Sequence, residues 1–126
     1  MKRVLVDLEF FFRASVSMVF EYVSSPEGLT RWFCEKVIVK DDVYDFFWED
    51  AHEKARILDY EDDYKIVFHW EDAEEQKEYL EFCVYKSPIT NQTIFNIKEY
   101  CDEDEVMDIT ELWESQVEEL RKLLGG

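Results

Sequence analysis

Glycine and proline are scarce in this chain of 126 residues, which has three of one and two of the other. Only Gly28 is interior, so no glycine-rich loop can cradle a phosphate. No Gly/Ser or Pro-rich linker divides the chain, and a single domain over 1–126 is expected at this length. Basic residues are also few: 14 Lys and Arg against 31 Asp and Glu, a net charge of −17. That balance excludes a nucleic-acid partner, which needs Lys and Arg to displace counterions, and an anionic membrane surface. A neutral ligand or a basic protein partner is left open, and the charge also keeps the chain soluble. Cysteine is sparse and odd in number (Cys34, Cys83, Cys101) with no C-x-x-C pair. This argues for a reducing compartment and no disulfide framework. Neither His52 nor His69 has the spacing to the cysteines that a metal site needs, so no metal or cofactor is expected. No apolar run approaches the roughly 20 residues that span a bilayer. Asp7 and Glu9 interrupt the first apolar run, so no signal peptide and no membrane insertion are expected, and the location is read as cytoplasmic.

Aromatics, by contrast, are abundant at 17%. They favour strands and bury large areas from few positions. Val4, Val6, Leu8, Phe10 and Phe12 alternate with Arg3, Asp7 and Glu9, a strand with one buried face. The period then changes. Ser15 is a helix N-cap before Val16, Val19, Phe20 and Val23. Ser25-Pro26-Glu27 opens a second short helix carrying Leu29, Trp32 and Phe33. Strand-like runs follow at Lys36 to Val39, Tyr44 to Trp48, Ala51 to Tyr60, Tyr64 to Trp70, Leu80 to Val84 and Thr93 to Cys101. Asp41-Asp42, Glu61 to Asp63, Glu71 to Lys77 and Ser87 to Asn91 supply the turns. Alternation is poor in Ala51 to Tyr60, and no register can be assigned there. The last segment is helical: Val106, Ile109, Trp113, Val117, Leu120 and Leu124 form one apolar stripe, widened by Leu112 and Leu123. At about 19 residues it spans roughly 30 Å, long enough to cover the apolar face of an antiparallel sheet.

This order and its local residues resemble the START-like (SRPBCC) superfamily, in particular the branch of the heat-shock-protein ATPase activator homologues. Phe10-Phe11-Phe12-Arg13-Ala14-Ser15, Val19-Phe20-Glu21-Tyr22-Val23 and Ser24 to Phe33 carry the resemblance. Asp45-Phe46-Phe47-Trp48, Ala55-Arg56-Ile57-Leu58 and the helix from Trp113 to Leu124 extend it. The resemblance implies an α+β helix-grip fold: a curved antiparallel sheet of about six or seven strands around a long C-terminal helix, with two short helices after strand 1. It also implies lipid or hormone binding, polyketide cyclisation or assistance to chaperones, and fold alone does not choose among these.

No nucleophile–base set stands out, and both histidines fall on the outward phase of their strands. Phe46, Trp48, Phe68, Trp70 and Phe82 fall on the inward phase, facing Trp113 and Val117. Either they fill the core or they leave an apolar pocket under the helix, with Trp32 and Phe33 near its mouth. Glu53 shares the phase of Ala55 and Ile57, and Glu99 that of Phe95 and Ile97. Both are therefore candidate polar groups of a cavity, unless strand ends or a bulge turn them to solvent. The leading expectation is a non-enzymatic binding module for a small apolar or lipid-like ligand. The alternatives are a protein-interaction or co-chaperone-like module for a basic partner, and a cyclase- or hydrolase-type enzyme using Glu53 or Glu99. A homodimer through a strand edge or an aromatic patch stays open.

Overall fold

A computed structural model describes residues 2–126; Met1 lies outside the described residues. Strand β1 (Arg3–Phe12) is followed by helices α1 (Val16–Ser24) and α2 (Pro26–Leu29). Six strands come next: β2 (Lys36–Lys40), β3 (Val43–Phe47), β4 (His52–Glu61), β5 (Lys65–Trp70), β6 (Leu80–Lys86) and β7 (Thr93–Asp102). A short turn of helix at Glu103–Glu105 leads into α3 (Val106–Leu124). The strands form one antiparallel sheet in the order β1-β7-β6-β5-β4-β3-β2. Thus β2 to β7 is a meander of hairpins, and β1 closes on β7 with Arg3 opposite Asp102 and Phe12 opposite Thr93. With α3 laid across the sheet, this is the α+β helix-grip arrangement.

Local chemistry accounts for the element ends. The Ser15 side chain accepts from the Met18 N–H to start α1. Ser25 accepts from the Gly28 N–H to start α2, with Pro26 in the first turn. Three tight turns place Asp41, Asp63 and Asn91 in the left-handed region, at φ 57°, 56° and 62°, a conformation that Asp and Asn tolerate better than other residues with a side chain. Gly28 has a different reason to be glycine. A Cβ there would stand 2.5 Å from the Glu21 carbonyl oxygen and from the Tyr22 Cα, so α1 and α2 meet closely only because it has none.

The unassigned register of β4 resolves into a β-bulge. Ile57 pairs with Phe68 and Asp59 with Val67, leaving Leu58 as the extra residue. Glu53, Ala55 and Ile57 share the inner face before the bulge; after it Tyr60, opposite buried Ile66, takes over that face and its ring packs on Phe20 at 5.8 Å. The inner phase switches from odd to even numbers, which is why no single alternation fits the segment.

Between sheet and helix the core is dominated by phenylalanine: Phe12, Phe20, Phe46, Phe68, Phe82 and Phe95 are all essentially inaccessible. Helix α3 contributes Trp113, Val117 and Leu120 to it and stops at Gly125 with φ 78°. The apolar stripe expected from Val106 to Leu124 is therefore fully buried only at Trp113, Val117 and Leu120, while Leu123 at its end is exposed. Val106 is 37% and Leu112 52% exposed, and Leu112 with Ile109 borders an open cleft. Among the described residues, no helix is long and apolar enough to cross a membrane.

Candidate functional site

The cleft lies where β4, β5 and β7 reach one end of the sheet under the first turns of α3, and offers about 690 Å³. That volume falls in the range of small-molecule sites, roughly 300–1,000 Å³. Its walls are aromatic. The rings of Phe33 and Trp113 lie face to face, 5.8 Å apart and 3° from parallel. Trp48 meets Phe33 edge-on at 5.5 Å, and Trp70 stands 6.5 Å from Trp48. Ile109 and Leu112 of α3 complete the apolar lining.

Hydrogen bonds hold these rings in place. The Trp48 indole N–H donates to the Phe33 carbonyl at 2.7 Å. The Trp113 N–H donates to Glu99 Oε1 at 3.2 Å, and the Trp70 indole also favours the ionised form of that carboxyl. Burial pushes the Glu99 carboxyl up to about 7; the Trp113 bond, the Trp70 indole and Arg3 oppose this, while the nearby charge of Glu53 adds to it. Glu53 is itself raised, by burial and by the charge of Asp72. Glu99 can therefore hold or release a proton near neutrality, next to apolar surface.

Arg3 lines the rim of the cleft but is already committed. Its guanidinium donates to both Glu78 carboxylate oxygens, at 2.8 and 2.6 Å, and to Asp102 at 3.0 Å. Glu78 is buried, and the Arg3 bonds hold its carboxyl below the usual range.

Of the residues singled out from the sequence, Phe33, Trp48, Trp70, Trp113, Glu53 and Glu99 come together at the cleft. Trp32, Phe46, Phe68, Phe82 and Val117 do not line it; they form the packed layer of the core. Trp32, expected near the mouth, is pinned inside by its N–H bond to the Tyr22 carbonyl at 2.7 Å. Glu53 and Glu99 keep the inner phase of their strands, and neither is turned away by a bulge, since the bulge follows Glu53 by several residues. The histidines are outward. His52 stacks on Phe47 at 4.3 Å and pairs with Asp45, and His69 Nδ1 bonds to the Glu78 carbonyl oxygen at 2.8 Å. Arg3, Asp72 and Glu105 at the rim were not singled out. Arg3 reads as outward by alternation, and Asp72 and Glu105 sit in connections where no period applies.

The sequence pattern of the START-like superfamily domain matches residues 1–126. The chain belongs to the START-like superfamily. A Bacteroides fragilis protein solved by NMR is 31% identical over 98% of this chain and 92% of its own, with a TM-score of 0.68. A Bacillus halodurans protein is 22% identical over 98% and 99%, with a TM-score of 0.77. The Aha1 dimer of Colwellia psychrerythraea is 12% identical over 96% of both chains, with a TM-score of 0.79, a likeness of fold. No curated protein matches the sequence.

Proposed function

We propose that the protein is a non-enzymatic binding module whose cleft takes up a small apolar or lipid-like ligand. The single observation behind this reading is the cleft of about 690 Å³ walled by Phe33, Trp48, Trp70 and Trp113. Trp48 and Trp70 stay half-buried beside the buried Phe33 and Trp113, and covering their open faces with an apolar molecule is favourable; Glu53 and Glu99 give that molecule a polar end to meet. Comparison of native and denaturing mass spectra, on protein purified from its own kind of cell, tests the reading. Extra mass that disappears on denaturation supports it. Bare protein in the native spectrum, together with no quenching of tryptophan fluorescence across a panel of apolar compounds, refutes it.

Glu99 favours a second reading. A carboxyl at about 7 beside another carboxyl suits proton transfer in a cyclase- or hydrolase-type reaction. In that case an extracted ligand changes mass on incubation with the protein, and Glu99→Gln stops the change. The surface charge of −17 supports a basic protein as another class of partner in a co-chaperone-like role, held by salt-sensitive contacts. A low-salt pull-down that retains no protein removes that reading, and the native spectrum also reads whether the chain is a homodimer.

A further inference from the structure

The charge around the cleft constrains what enters it, given the binding reading above. Glu53, Asp72, Glu99 and Glu105 line it, and Arg3 is the basic residue among its lining groups. Arg3 already donates through Nε, Nη1 and Nη2 to Glu78 and Asp102, so its charge is balanced within the protein. An anionic head group, such as the carboxylate of a fatty acid, would meet acidic side chains with no free cation to pair with. The aromatic walls act in the same direction. Indole faces carry negative potential and attract cations, with Trp the strongest of the aromatic side chains. Glu99 takes a hydrogen bond from the Trp113 indole, and when ionised any further hydrogen bond it makes must also be accepted.

We infer that the cleft selects cationic amphiphiles: ligands with an apolar body seated on Phe33, Trp48, Trp70 and Trp113 and an ammonium group among Glu53, Asp72, Glu99 and Glu105. The selectivity is electrostatic and local. It is distinct from the diffuse attraction that a net charge of −17 exerts on any cation.

Three compounds with the same octyl chain separate these ideas: octyltrimethylammonium, 1-octanol and octanoate, each titrated by calorimetry and by tryptophan fluorescence. The expected order is cation, then alcohol, then carboxylate, with cation over carboxylate by at least about tenfold. Salt weakens the cation and leaves the alcohol unchanged. Asp72→Asn and Glu53→Gln each narrow the preference, whereas Glu114→Gln, on an exposed position of α3 that does not line the cleft, makes the same change in net charge and leaves the preference intact. Asp72 is exposed in the β5–β6 connection, so its variant keeps the test available if Glu53→Gln unfolds. Octanol or octanoate binding as tightly as the cation overturns the inference and leaves the apolar cleft standing. A preference that Glu114→Gln reduces as much as Asp72→Asn overturns it too. If none of the three binds, the binding reading itself fails.

Discussion

Replacing Glu99 by Gln isolates the energetic consequence of holding a carboxyl among indole rings. In the folded protein this group is raised from the ordinary 4.5 to about 7. Between those values the folded state binds the proton and the unfolded state does not, so the group's contribution to stability falls as pH rises through that window and is constant above it. At ~1.4 kcal/mol per pH unit, the loss amounts to about 3 kcal/mol. Gln is neutral at every pH and escapes the loss. Its carbonyl can still accept from Trp113, while its NH2 replaces an acceptor oxygen with a donor in the buried site, a mismatch that costs about 1 kcal/mol. The variant should therefore be slightly less stable than wild type near pH 4 and about 2 kcal/mol more stable near pH 8, with the curves crossing between. Denaturant titrations followed by tryptophan emission at several pH values give both curves, and subtraction cancels the carboxylates that are not coupled to Glu99, Glu53 being the coupled one. A carbon-13 titration of the Glu99 carboxyl gives the midpoint directly. A constant difference between the curves, or a midpoint below about 5, would refute the reasoning.

Three further perturbations probe the frame around the cleft. Arg3→Met strands Glu78, which is only 4% exposed, and should cost about 3–5 kcal/mol at neutral pH. The cost shrinks at low pH as Glu78 takes up a proton, and thermal melts at two pH values read it. Gly28→Ala drives a methyl to 2.5 Å from backbone atoms of α1 and should destabilise by about 1–3 kcal/mol, seen as a lower denaturation midpoint. Tyr44→Phe removes the hydroxyl that donates to the Ser24 carbonyl at 2.9 Å. A loss of about 1 kcal/mol is expected, and an unchanged midpoint would mean that water replaces that bond.

Residues whose role is local could be read before the fold was seen. Ser15 and Ser25 cap the helices, and Asp41, Asp63 and Asn91 make the turns, because capping and left-handed geometry depend on a few neighbouring atoms. The strand phases that carry Phe46, Phe68 and Phe82 were equally legible. The division of the inward aromatics into core and cleft was not. Trp48 and Phe46 share one phase, as do Trp70 and Phe68, and only their distance from the end of the sheet decides which is covered. Periodicity reports direction and is silent about depth. The extra residue at Leu58 defeated alternation for a similar reason: the bulge is defined by pairing with β5, not by the residues of β4 alone. Arg3 looked like a solvent-facing charge because the buried carboxylate it meets is 75 residues away.

The pairing of β1 with β7 also governs the order in which this protein can assemble. The meander from β2 to β7 can form one hairpin at a time, each from neighbours in sequence. Strand β1 cannot join it until its partner exists, and Arg3 and Asp102 are 99 residues apart. During synthesis Phe10, Phe11 and Phe12 therefore leave the ribosome long before Thr93, Ile94 and Phe95, their partners in β7, are made. Closing so long a loop is a slow step with little reward until the whole ladder zips. Over that interval the apolar β1 is an unpaired strand in search of a partner, and the acidic excess of the chain, 31 Asp and Glu against 14 Lys and Arg, opposes the approach of two such chains.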